Sequence, residues 1–122
     1  MIPRSKKGKM VPTRHVSNKQ ESRAARNLGL KKQPNSGATA FAKGDLVGAD
    51  ILLECKTKMK VSSQITLKRE WFETLIQEKI AMRKSLIGVL FDFGDGKNYV
   101  AIPEKDFKDY LRLRELEETG EL

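Results

Sequence analysis

The sequence predicts a small α/β domain with a central mixed sheet and helices packed on it. Segments of helical and strand character alternate along the chain in the order helix, strands, helix, strands, helix. Two short apolar runs, Ile51-Leu52-Leu53 and Leu86 to Phe93, have strand length. Between them Leu67, Trp71, Phe72, Leu75, Ile76 and Ile80 recur at helical spacing. A chain of 122 residues can bury one modest core and is too short for two.

Taken in order, residues 1–16 read as a flexible basic arm, because Pro3, Gly8 and Pro12 interrupt a lysine-rich stretch with little to bury. The folded domain is expected over 17–114. Its first helix starts where Ser17 and Gln20 have capping-box spacing, carries Ala24, Ala25 and Leu28, and ends at Gly29. Residues 31–38 read as a turn-rich basic loop, and Thr39 to Phe41 as extended chain. Gly48-Ala49 has the Gly-X form of a two-residue hairpin loop, with glycine at the positive-φ position. The strand through Ile51 to Lys56 follows, then a polar loop from Thr57 to Ser63. Thr66 is the expected start of the strongest helix, whose apolar stripe reads as core, with Trp71 packing in it. Leu86 to Phe93, the Gly94-Asp95-Gly96 turn and Tyr99 to Ile102 read as a hairpin. Pro103 opens a closing helix that docks Phe107, Tyr110, Leu111 and Leu113 on the sheet. An acidic tail, 115–122, completes the chain.

Charge is distributed unevenly. Residues 1–43 hold eleven Lys or Arg and a single acid, Glu21, whereas residues 44–122 hold thirteen bases and fifteen acids, so the net charge of +8 comes from the front. A basic arm on a near-neutral body suggests a polyanionic partner, most often nucleic acid, bound in a salt-dependent way. Rival readings of the arm are a solubilising tail, a membrane-surface patch or an acid-poor transit segment. No apolar stretch approaches the ~18 residues of a membrane span, and Met1-Ile2-Pro3-Arg4 lacks the apolar segment of a signal peptide. A soluble cytoplasmic protein, with no membrane partner and no organic cofactor, is therefore expected. The single cysteine, Cys55, has no disulfide partner and no Cys or His neighbours at zinc spacing. Its thiol reads as core, and its main-chain carbonyl stays available as a ligand.

The chemistry concentrates at Asp45, Glu54 and Lys56. Strand alternation puts Asp50, Leu52, Glu54 and Lys56 on one face, but four extended residues separate Asp50 from Glu54 by roughly 13 Å, too far for one ion. A turn at Gly48-Ala49 places Asp45 opposite Leu52 and diagonal to Glu54, about 7–8 Å away. Two carboxylates so placed can hold a hard cation that activates water and neutralises phosphate, while a lysine beside them stabilises developing negative charge. The spacing alone is weak: Asp95-Gly96-Lys97 and Asp106-Phe107-Lys108 repeat it. An ordinary ion pair at a solvated strand end is the competing reading.

The ordered set Ser36-Gly37-Ala38, Lys43-Gly44-Asp45, Ile51-Leu52-Leu53-Glu54-Cys55-Lys56, then a Trp71-bearing helix and two strands, resembles the PD-(D/E)xK nuclease superfamily. Within it, the chain is similar to Holliday junction resolvase-like enzymes of archaea and phages, over roughly residues 17–112. The resemblance implies a restriction-endonuclease-like domain in which Asp45 and Glu54 bind Mg²⁺, with Mn²⁺ as substitute. It further implies that the Cys55 carbonyl completes the shell, Lys56 supports the attacking water, and an acid on the first helix, here Glu21, contributes. Gly44 departs from the family pattern, which has proline before the aspartate. The implied activity is metal-dependent endonuclease cleavage of branched DNA by a homodimer.

Alternatives are a general repair or degradative nuclease using the same residues, and a non-catalytic DNA-binding recombination protein. RNA is not excluded by phosphate-directed charge. Candidate contacts to the nucleic-acid backbone are Arg4, Lys6, Lys7, Lys9 and Arg14 in the arm, and Arg23 and Arg26 on the first helix. Lys31, Lys32, Ser36, Gly37 and Lys43 precede the acid pair, whereas Lys58, Lys60, Lys68 and Arg69 follow it.

Overall fold

A computed structural model describes residues 13–33 and 45–121. It is an α/β domain in which a five-stranded mixed sheet is accompanied by three helices. Helix α1 spans Thr13–Leu28, strand β1 Lys31–Lys32, β2 Leu46–Val47 and β3 Ile51–Lys56. Helix α2 spans Arg69–Met82, β4 Leu86–Phe91, β5 Tyr99–Ala101 and α3 Glu104–Thr119. Strands lie side by side in chain order from β1 to β5. All neighbours are antiparallel except β3 and β4, which run parallel. Parallel neighbours need a crossover, and α2 provides it.

Alternation along β3 divides the core. Leu53 and Cys55 pack with Leu46, Leu90 and Ala24 of α1, whereas Leu52 packs with Ile87, Val89 and Leu75 of α2. The two helices therefore cover opposite faces of the sheet. Fully burying a leucine such as Leu52 or Leu75 contributes about 1.5–3 kcal/mol. Strands β3 and β4 are apolar on both faces, as central strands between two helices must be.

Several expectations need correction. Helix α1 begins at Thr13, so Ser17 lies inside it and not at its start. Gly29 does take a left-handed φ of 69°, letting the Leu30 N–H reach back to the Ala25 carbonyl at 3.0 Å. Lys31–Lys32, expected in a loop, form an edge strand whose exposed lysines discourage further pairing. The hairpin loop is Ala49-Asp50, one residue later than expected, closed by a 2.9 Å bond from the Gly48 N–H to the Ile51 carbonyl. Gly48 does not have positive φ. A Cβ there would sit 2.6 Å from the end of the Leu30 side chain and 3.0 Å from that of Ile51.

Helix α2 starts at Arg69 and not Thr66, and its stripe is only partly core. Leu75 is buried and Trp71 and Phe72 pack beside it, but Leu67, Ile76 and Ile80 are exposed. Strand β4 stops at Phe91. The Gly94-Asp95-Gly96 turn forms as expected, with both glycines left-handed. A Cβ at Gly94 would meet the Lys60 carbonyl oxygen at 2.6 Å, so this turn packs directly on the loop that follows β3. Helix α3 continues to Thr119 through most of the supposed tail, and Phe107, Tyr110, Leu111 and Leu113 stay about half exposed instead of docking.

Candidate functional site

Asp45, Glu54 and Lys56 converge where β2 begins and β3 nears its C-terminus. The observed register pairs Leu46 with Leu53 and Val47 with Leu52. Asp45, just ahead of these pairs, is therefore not opposite Leu52 as the expected turn implied. The loop shift at Ala49-Asp50 is the physical reason. The Asp45 N–H donates to the Leu53 carbonyl at 2.8 Å, and its own carbonyl accepts from the Gln33 N–H at 3.0 Å. Its carboxylate Oδ2 accepts the Cys55 N–H at 2.7 Å. A strand residue's N–H and C=O point to the same edge, so the Cys55 carbonyl lies on the edge that Asp45 occupies.

Lys56 is held from two sides. Its Nζ is 3.1 Å from Glu54 Oε2 and 4.5 Å from the centre of the Trp71 ring, a cation–π contact. Trp71 thus packs, as expected, and also supports the lysine. The Lys56 backbone is fixed as well. Its carbonyl accepts from Gln20 Nε2 at 2.7 Å and from the Asp92 N–H at 3.3 Å.

The electrostatics is that of crowded acids. Burial pushes the Asp45 carboxyl above its ordinary value, more than the Cys55 N–H and the Lys56 cation lower it. Glu54 is raised by burial and then by Asp45, against the pull of Lys56. Glu21, facing the same region from α1, is raised by burial and then by Asp45, with Lys32 opposing and Glu54 adding a smaller push. Three carboxylates therefore feel one another, with Lys56 and Lys32 as the nearby cations. The Cys55 thiol is buried and strongly raised, chiefly by desolvation, so it is an inert core group.

Among the described residues, no set of three or more His, Cys, Asp or Glu side chains is arranged to hold a metal ion. The donor chemistry nonetheless fits a hard divalent cation. It offers oxygen donors only, and acids whose mutual repulsion a cation would relieve.

The basic candidates are scattered. Arg26, Lys31, Lys60, Lys68 and Arg69 are exposed. Lys32 is exposed too and reaches Ser22 Oγ at 3.2 Å. Arg23 is not on a free helix face, because its guanidinium sits 3.6 Å from the buried Asp92 carboxylate. Asp92 also accepts from the Thr57 hydroxyl and from the Gly94 N–H. With Lys19 and Lys58, Arg23 lines a cleft of about 320 Å³ beyond the C-terminal ends of β3 and β4. Arg4, Lys6, Lys7, Lys9, Ser36, Gly37 and Lys43, the Arg14 side chain, and the expected extended stretch at Thr39 to Phe41 lie outside the described residues.

Sequence reasoning missed Gln20 and Asp92. Gln20 has the spacing of a cap partner, but it is buried and braces Lys56. A glutamine one turn from Ala24 on the helix's inner face was its only signal. No described helix is long and apolar enough to cross a membrane. No family model, curated protein or solved structure matches the chain.

Proposed function

We propose that this protein is a Mg²⁺-dependent structure-specific DNA endonuclease of the PD-(D/E)xK type that cuts four-way junctions. The observation that carries the reading is the Asp45 carboxylate bonded to the Cys55 N–H, close enough to Glu54 to raise its pKa, with the Lys56 ammonium 3.1 Å from the Glu54 carboxylate. Asp45, Glu54 and the Cys55 carbonyl would hold the cation, with Glu21 close enough to add charge. When bound there, Mg²⁺ supplies Lewis-acid neutralisation of the phosphate and lowers the pKa of a bound water.

The chain's own groups do the rest. Lys56 donates a hydrogen bond to the attacking oxygen or to the charge building on the phosphoryl oxygens. Its ammonium rests against the Trp71 ring, 4.5 Å from the ring centre. Gln20 fixes the strand end behind it. Lys19, Arg23 and Lys58 supply positive charge along the adjoining cleft, where backbone contacts select shape without reading bases. Cutting opposite strands of a junction needs two copies of the site, so the reading includes a homodimer.

A non-catalytic DNA-binding protein is the rival that one observation favours, since the same 3.1 Å pair satisfies both Glu54 and Lys56 without any metal. A general repair or degradative nuclease would use the proposed site on other DNA. Four-way junction, linear duplex, single strand and nicked duplex, each incubated with wild type and Lys56→Ala in Mg²⁺, separate the three. The proposed enzyme cuts the junction first and loses cutting but not binding with Lys56→Ala. A binding protein yields no product and ignores chelator, and a general nuclease shows no junction preference.

A further inference from the structure

The cleft beyond the C-terminal ends of β3 and β4 holds two buried polar atoms that the fold leaves unanswered. Gln20, only 1 % exposed, donates from its amide nitrogen to the Lys56 carbonyl at 2.7 Å and to Asn98 Oδ1 at 3.3 Å. A main-chain carbonyl can only accept, so the amide orientation is fixed and Oε1 is left over as an acceptor. Among the described residues Gln20 Oε1 has no hydrogen-bond partner, and neither has the buried donor Arg23 Nε. The two residues stand one helical turn apart on the same face of α1, and both line the cleft. Unpaired buried polar atoms are costly. A group carrying a donor beside an acceptor answers both.

Charge and size narrow what brings that group. Among the described residues the cleft, about 320 Å³, is lined by Lys19, Arg23 and Lys58 and by one acid, Asp92. The Asp92 oxygens are already engaged, Oδ1 by the Thr57 hydroxyl and the Gly94 N–H, Oδ2 by Arg23 at 3.6 Å. The excess of positive charge requires an anion, and the volume lies at the small end of ligand pockets, room for a nucleotide and not for a duplex. A phosphodiester and a deoxyribose within a strand have acceptors only, so passing backbone leaves Gln20 Oε1 without a donor. The edge of an unpaired thymine, uracil or guanine presents an N–H beside a carbonyl, and pairing in a duplex would occupy that edge. Positive charge also continues outward. A second hollow on α1, lined by Asn18, Ser22 and Arg26, shares Lys19 and Arg23 with the cleft and gives neighbouring phosphates a path.

We infer that this cleft takes one unpaired nucleotide of a nucleic-acid strand, its phosphate among Lys19, Arg23 and Lys58 and its base edge turned inward to Gln20 Oε1 and Arg23 Nε. Because Gln20 also holds the Lys56 carbonyl, the pocket adjoins the strand end that carries the proposed catalytic lysine. An unpaired nucleotide thereby becomes part of the substrate. This deepens the proposed function and rests on it in one respect, that the strand is one the site acts on.

Isothermal titration of the full chain with thymidine 5′-monophosphate, in chelator and without metal, tests it. The nucleotide is expected to bind at least about tenfold more tightly than inorganic phosphate or thymidine. Its N3-methyl derivative, which lacks the N–H, is expected to fall to the level of phosphate, because a site built to pair a donor rejects the analogue without it. Lys19→Ala combined with Lys58→Ala is expected to weaken the nucleotide at least about tenfold with an unchanged circular dichroism spectrum. A hairpin duplex ending in one unpaired thymidine is expected to displace the nucleotide, and the same hairpin with a blunt end is not. A nucleotide bound no better than phosphate, a methylated derivative bound as well as its parent, binding unchanged in the double variant, or an overhang that displaces nothing would each overturn the inference. Junction cleavage by a protein that binds no nucleotide leaves the proposed function standing, whereas nucleotide binding by a protein that cuts nothing leaves this pocket standing.

Discussion

Replacing Asp45 by asparagine tests whether the acid cluster is held at a cost until a cation arrives. Asparagine keeps an oxygen to accept the Cys55 N–H, so the change removes charge and little else. Two carboxylates about 6 Å apart repel by about 1.4 kcal/mol at an effective dielectric of about 40. Lys56 attracts Asp45 and offsets part of this, leaving a gain of about 1 kcal/mol, or about 4 °C in Tm for a domain of this size. Folding raises the carboxyl pKa values of Asp45, Glu54 and Glu21. Between the unfolded and folded values the native state therefore binds more protons, and stability falls as pH rises through that window. The gain from Asp45→Asn is accordingly full above the window and absent below the ordinary carboxyl range. Scanning calorimetry at pH 7.5 in chelator, repeated in the acid range, measures both. Added Mg²⁺ is expected to stabilise wild type more than the variant. A variant less stable than wild type at pH 7.5 in chelator would refute the reasoning, because the acids would then not repel.

Two further outcomes follow from the packing around the site. The Cys55 thiol is buried and its pKa is raised, so a disulfide reagent such as DTNB is expected to leave it unmodified in the native protein and to titrate one thiol after denaturation. Fast native labelling would mean that the strand end is open. Gly94→Ala forces a Cβ against the Lys60 carbonyl at a φ of 91°, which is expected to cost at least about 1 kcal/mol in urea unfolding. A neutral result would show that the loop after β3 is not braced by this turn.

The succession of helices and strands was legible because it rests on period and length, which local residues determine. The apolar runs at Ile51 and Leu86 could only be buried strands once Leu75 and its neighbours supplied a crossover helix. The Asp45, Glu54 and Lys56 grouping was legible for the same reason, since alternation fixes which side chains share a face. What escaped were features set by contacts distant in sequence. Gly48 reads locally as a turn glycine, yet it stands before the loop, against the side chains of Leu30 and Ile51. Gln20 has the residue type of a cap partner, but a carbonyl thirty-six residues away claims it. Arg23 has the look of a surface cation until Asp92 folds beneath it. On α3 the apolar spacing is legible and the exposure is not, because periodicity states which residues share a face and not whether that face is covered.

The proposed function stands on the Lys56 ammonium serving catalysis beside a cation held by Asp45 and Glu54. Its most direct measurement is single-turnover cleavage of a labelled four-way junction in Mg²⁺ by wild type and Lys56→Ala, with binding of the same junction measured in Ca²⁺. The account predicts paired incisions by wild type, a rate lower by at least about 100-fold in the variant, as for loss of a key charge-stabilising group, and binding within about threefold. Equal cleavage by both proteins, or no cleavage of any DNA by wild type in Mg²⁺ or Mn²⁺, would contradict it.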